Sequence, residues 1–211
     1  MKISVAFSES RIFTKEHKQW LQNTIKETAN HAGELLGIKR KINFKVYPFI
    51  SNPPPMLSRG CACSKELEMI VSPHRDAKLK QAVKSTVYHE IHHLARGFID
   101  VEATLIDAVF SEGLAVVFEM ENIPGYTPQC AIYDPAVLQG WLPILRMEKD
   151  NTNYDYQKWF EFEQGELGYS MGKYFVDLIF RRYPYLNSTM LVRAPTEELL
   201  DLLYSSGINL K

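Results

Sequence analysis

The sequence predicts an α+β chain, predominantly helical, with a small mixed or antiparallel sheet ahead of a helix that carries His89, Glu90 and His93. Three observations predict it. Apolar and polar residues alternate between Lys41 and Phe49, the period of a strand with one buried face. Apolar residues recur at spacings of three and four through most of the chain beyond Asp76, the period of helices half sunk in a core. The chain is 211 residues long and 45% hydrophobic, enough to bury a substantial core in one domain.

Taken in order, Ile3 to Phe7 reads as a short strand or extended lead-in. Residues 14–37 read as an amphipathic helix through Trp20, Leu21, Ile25, Ala29 and Leu36. From Lys41 to Phe49, Ile42, Phe44 and Val46 alternate with Asn43, Lys45 and Tyr47, as a half-buried strand requires. Ser51-Asn52-Pro53-Pro54-Pro55 has three successive residues with no amide hydrogen, so it cannot join a ladder and must be a loop. Strands follow near Ser58–Ser64 and Glu66–Val71, the second ended by Ser72-Pro73. A helix begins near Asp76: Leu79, Ala82, Val83, Val87 and Ile91 share a face, Leu94, Ala95 and Phe98 extend it around Arg96, and Gly97 stops or bends it. A second apolar helix spans about Ala103 to Met120. Residues 137–147, 154–162 and 167–182 are further helices, separated by the Ile123–Pro128 loop and by residues 150–153. A final short helix opens at Thr196, with Thr196 as N-cap behind Pro195. No repeat, low-complexity tract or linker divides the chain, so a single domain over residues 1–211 is expected, with a helix and small sheet in 1–75 and a helical part carrying the metal chemistry in 76–211.

The charge balance, 24 Lys and Arg against 25 Asp and Glu, gives no electrostatic reason to expect nucleic acid or an anionic membrane as partner. No apolar run approaches the roughly 18 residues of a membrane span, and Met1–Ser8 lacks a signal-peptide core, so a cytoplasmic location is expected. The three cysteines, Cys61, Cys63 and Cys130, are odd in number and lack the spacing of a zinc knuckle. Cys61 and Cys63 would face one side of a strand, and all three read as small buried or half-buried residues with no disulfide.

The chemistry concentrates in His89-Glu90-Ile91-His92-His93, an H-E-x-x-H pattern of the kind zinc hydrolases use. Residues four apart stand one helical turn above each other, so the imidazoles of His89 and His93 can hold one ion from a single face. Glu90 lies about 100° round the same turn, close enough to polarise a water without being a ligand. Imidazoles set into an amphipathic helix carry a desolvation cost unless they have partners, and a metal ion is one such partner. A surface histidine cluster that picks up metal adventitiously is the competing reading. His92 lies about 60° from His89 on the helical wheel and is taken as a supporting or cleft residue.

Zinc hydrolases commonly hold the metal with three protein groups and leave a fourth position to water. No histidine follows His93, and the sixth residue after it is Ile99, so the third ligand should be a carboxylate. Glu112, nineteen positions after His93 on the second apolar helix, is the choice. Asp100, Glu102 and Asp107 compete: the first two fall in the connection between the helices, and Asp107 sits about 140° round the helix from Glu112. Arg96 can bind substrate or pair with Asp100 or Glu102. Carboxylates that would orient the ligands are sought among Glu119, Asp107 and Asp177.

His89–Arg96, Ser111-Glu112-Gly113-Leu114-Ala115 and Gly168-Tyr169-Ser170-Met171-Gly172 together resemble the three blocks of the predicted zinc-dependent proteases known as domain of unknown function 2268, over roughly residues 40–205. The resemblance implies a zincin-like fold of the gluzincin type, one Zn2+ ion held by His89, His93 and Glu112, and Glu90 as the catalytic carboxylate. In thermolysin-like sites another carboxylate stands one turn after the ligand Glu; here that position is Val116. Peptide-bond hydrolysis by a zinc-bound water is the expected activity, with a peptide or protein as substrate. Tyr169 is the candidate donor to the oxyanion of the tetrahedral intermediate, with Gly168 and Gly172 allowing its helix to pack closely. Tyr126, Tyr133, Trp141 and Trp159 are candidates for lining a cleft. The alternative function is a non-catalytic zinc-binding regulatory or peptide-recognition domain, which has no need of Glu90.

Overall fold

A computed structural model of the protein describes residues 1–8, 11–49, 57–62, 66–74, 77–97, 103–161 and 166–210. They fall into two compact units, one of residues 1–100 with 121–126 and one of residues 101–120 with 127–211. The fold is α+β and mostly helical, with its one four-stranded sheet in the first unit.

That sheet contains β1 (Ile3–Phe7), β2 (Ile42–Pro48), β3 (Ser58–Ala62) and β4 (Glu66–Val71) in the order β1-β2-β4-β3. β1 and β4 flank β2 in parallel, and β3 returns antiparallel along β4, so the sheet is mixed. The alternation read in the sequence is the observed one: Ile42, Phe44 and Val46 are buried while the residues between them are partly exposed. The parallel β1–β2 pair needs a crossover, supplied by α1 (Lys15–Leu35). Thr14 caps α1 by accepting from the His17 amide at 3.1 Å, and Leu21, Ile25, Ala29 and Ala32 form its buried face. The triple-proline loop at 51–55 lies outside the described residues.

The motif helix is α2 (Leu79–Arg96). It starts three residues later than Asp76 because Ala77 and Lys78 form a turn, and it ends at Gly97, whose φ of 83° is the left-handed conformation that glycine adopts at little cost. Leu79, Val83, Val87 and Ile91 are fully buried, each contributing about 1.5–3 kcal/mol of hydrophobic stabilisation. Two polar contacts fix the helix further. The Tyr88 hydroxyl meets His31 Nδ1 of α1 at 2.9 Å, and the Thr86 hydroxyl meets Ser58 Oγ of β3 at 2.9 Å. Strand β3 thus lies directly along the motif helix. Its alternation turns Cys61 outward, so that residue is exposed and not buried as expected; Cys63 lies outside the described residues.

The second unit is helical. α3 (Leu105–Asn122, of which the last two residues belong to the first unit) opens two residues later than Ala103 because Thr104 and Asp107 cap it reciprocally. The Asp107 carboxylate accepts from the Thr104 amide at 3.0 Å and hydroxyl at 2.7 Å, and the Asp107 amide donates back to Thr104 Oγ1. A 3-10 turn (Gln129–Ala131) leads to α4 (Pro135–Glu148), capped by Asp134, and to α5 (Tyr156–Phe160), capped by Asp155 and shorter than the expected 154–162. α6 (Leu167–Arg182) has the expected bounds. α7 (Ser188–Leu191) was not anticipated; its signal is the Asn187 cap. α8 (Thr196–Ser205) corrects a second detail, since Thr196 is the first helical residue and spends its hydroxyl on Asp107 rather than on its own helix.

Phe110, Leu114, Trp159, Met171 and Phe175 make the centre of this unit's core. Two of the aromatics proposed for a cleft are committed to structure. Trp159 is fully buried with its indole N–H donating to Glu148 at 3.0 Å, and Tyr133 hydrogen-bonds to Asp177. α3 and α6 cross backbone to backbone at Gly113 and Gly172. A methyl group at Gly172 would stand 2.8 Å from Gly113 N and closer still to the Val109 carbonyl oxygen. Glycine costs a helix about 1 kcal/mol relative to alanine, so this crossing offsets a real penalty. No helix among the described residues is long and apolar enough to cross a membrane.

Because the atoms in the way at Gly172 are backbone, the helices must separate to admit a side chain. Gly172→Ala is therefore expected to lower the unfolding free energy by about 1–3 kcal/mol despite the better helix propensity of alanine. The midpoint of urea denaturation measures it, and an unchanged or raised midpoint would contradict the crossing.

Candidate metal centre

α2 sorts its polar residues by depth. His89 and His93 are half-buried on one face, their rings 4.6 Å apart between centroids and at 77° to each other. Glu90, one residue round the helix, is buried at 6% exposure. His92 is completely buried, which removes it from any solvent-facing role. Arg96 is buried as well, and the acids expected to pair with it, Asp100 and Glu102, lie outside the described residues.

Glu112 is half-buried on α3, one position before the glycine that touches α6. His89, His93 and Glu112 each offer one ligand atom, and these atoms all lie within 4.8 Å of one another. In a tetrahedral zinc site with ligand distances of about 2.0–2.1 Å, neighbouring donors stand about 3.4 Å apart. The group fits zinc by the chemistry of its donors, two imidazoles and one carboxylate.

Two of the other acids considered, Asp107 and Asp177, have partners of their own. Asp107 serves Thr104 and Thr196, and Asp177 binds both Lys173 Nζ, at 2.6 Å through each oxygen, and Tyr133. Of the carboxylates considered for orienting the ligands, Glu119 remains, buried at 3% exposure. It adds to the field at Cys130, whose thiol is pushed far above its ordinary value, first by burial and then by the charges of Glu119, Glu166 and Glu112. Burial and, secondarily, Glu119 also raise the carboxyl of Glu166, the one described non-glycine residue with a left-handed backbone, at φ 56°.

Tyr169 leaves α6 three residues before Gly172, so it and Glu112 depart from the same helix crossing. Its ring is half-buried and stands edge-on to Phe160 at 5.6 Å, and Phe160 in turn fills the space a side chain at Gly168 would need. Sequence reasoning passed over Tyr154. Its hydroxyl is raised chiefly by burial, then by Tyr156, Glu112 and Asp107, which places it in the field of Glu112. It passed over Gly60 too, on β3, which lies against Glu90. Neither position carries a sequence signal: one is a tyrosine ahead of a short helix and the other a glycine in a strand.

Residues 21–201 match the family described as predicted Zn-dependent protease. The chain belongs to this family, DUF2268. The match takes in His89, Glu90, His93, Glu112 and Tyr169, and it begins within α1, earlier than the motif blocks alone reached. No curated protein and no solved structure matches the chain. The DUF2268 description points to a zinc-dependent protease.

A DUF2268 chain that holds zinc through this group loses it when a ligand is removed. Glu112→Ala and His93→Ala are each expected to weaken zinc by more than the ~10–100-fold that loss of a merely orienting partner causes. Asp107→Asn should leave zinc binding intact and lower stability. Metal content after dialysis against a competing chelator distinguishes the two classes, and full zinc retention in Glu112→Ala removes that residue from the ligand set.

Proposed function

We propose that the protein is a zinc-dependent peptide-bond hydrolase of the gluzincin type, with His89, His93 and Glu112 as metal ligands and Glu90 as general base. The observation that carries the proposal is the convergence of those three donors with a glutamate immediately after the first of them. A zinc ion supplies two things in such a site: it lowers the pKa of a bound water toward neutrality and it polarises a carbonyl.

The chain's own residues do the rest. Glu90 takes the proton from the attacking water and returns it to the departing amine, so one carboxylate serves as base and then as acid. Its burial keeps bulk water from competing for that proton. The Tyr169 hydroxyl donates to the oxygen on which negative charge develops, a contribution realised only in the transition state. A module that merely binds zinc or recognises a peptide needs the three ligands but gains nothing from a carboxylate at position 90. That asymmetry favours hydrolysis over a regulatory role.

Glu90→Gln separates the two functions. The variant is expected to keep one zinc ion while hydrolysis of a fluorogenic peptide library falls by about 100-fold to 10000-fold, the usual worth of a positioned general acid–base. Tyr169→Phe should lower kcat by about 100-fold or more and leave KM nearly unchanged, as loss of an oxyanion donor does. A native protein that holds zinc tightly and cleaves nothing in the library, with Glu90→Gln indistinguishable from it, would establish the regulatory reading instead.

A further inference from the structure

The place where β3 meets α2 carries one further assignment, which rests on the reading of Glu90 as general base. Gly60 is the middle residue of β3, paired with Met69 of β4. β3 is the last strand of the sheet order, and its first residue, Ser58, is tied to α2 through Thr86. A methyl group built on Gly60 would stand 2.5 Å from Glu90 Cγ, 2.7 Å from Glu90 Oε1 and 2.7 Å from Thr86 Cγ2. The carboxylate of Glu90 therefore lies in the space that any other residue at position 60 would occupy. We infer that Gly60 is a positioning residue for the hydrolytic reaction: its missing side chain is the seat in which the Glu90 carboxylate is held.

Two features set this glycine apart from those at the α3–α6 crossing. No positive φ is associated with Gly60, so alanine suits its backbone. The three nearest atoms a methyl group would meet belong to the Glu90 and Thr86 side chains, and two of them are γ carbons, so making room means turning those side chains about their first bond, which swings the Glu90 carboxylate away. The cost of Gly60→Ala thus falls on the direction of the carboxylate. Glycine is otherwise a poor strand residue, entropically costly and with nothing to pack, and close approach of Glu90 accounts for its presence. Gly60 touches no reacting atom and acts only through Glu90.

The test compares native protein, Gly60→Ala, Glu90→Ala and the double variant, all loaded with zinc. Melting temperature is read first because it needs no substrate. Gly60→Ala should lower it when Glu90 is present and by less in the Glu90→Ala background, where the Thr86 methyl is what remains of the three close contacts; equal lowering in both backgrounds overturns the assignment. On the peptide library, Gly60→Ala should keep its zinc and its KM while kcat falls by at least tenfold, since a misplacement of about 1 Å can cost ~100-fold. Unchanged kcat, or a loss carried by KM or by zinc content, also overturns it. Failure of the underlying reading has a different signature: Glu90→Ala then hydrolyses as well as native protein while the coupling in melting temperature persists.

Discussion

The whole site depends on one helix having to be two things at once. α2 is a core element, with Leu79, Val83, Val87 and Ile91 fully buried, and it also presents two imidazoles at the spacing of a metal clamp. A helix can do both only if its faces are sharply divided and its rotation about its own axis is fixed. A turn of 100° would send Glu90 to where His89 stands. The divided burial, the Tyr88–His31 contact toward α1 and the Thr86–Ser58 contact toward β3 fix that rotation from two sides. The buried position of Glu90 follows, and with it the need for a strand residue that leaves room.

Glycine solves the same kind of problem twice, by different means. At Gly113 and Gly172 two helix backbones touch, so the glycines set the depth of a helix crossing and any side chain there moves whole elements. At Gly60 backbone and side chain meet, and what the glycine sets is the direction of one carboxylate. Glu112 and Tyr169 lie on the two helices of the first arrangement, Glu90 against the second. The candidate site residues thus lie beside glycines with no chemistry of their own, and the family match over residues 21–201 spans both kinds.

How much of this could be read in advance divides along physical lines. The period-two pattern of residues 42–48 and the three-and-four spacing of residues 79–91 reflect burial, which the sequence writes directly, and α6 appeared with its bounds intact. The candidate group of His89, His93 and Glu112 was reached from residue type: no histidine follows His93, which left a carboxylate as the expected third member, and the three side chains do come together. Helix starts were less legible. Thr104 with Asp107 is a capping box that moves α3 two residues, whereas Thr196 looks like a cap and instead reaches a carboxylate 89 residues away. Long-range contacts of that kind leave no local pattern. The outward turn of Cys61 and the fit of Gly60 around Glu90 are likewise properties of strand placement.

X-ray absorption at the zinc edge of the metal-loaded protein reads whether two imidazoles and one carboxylate, and no thiol, hold the ion. A first shell of nitrogen and oxygen only, at about 2.0–2.1 Å, with the outer-shell scattering of two histidine rings, is expected. A sulfur shell at about 2.3 Å, or a shell with no imidazole signature, would contradict it.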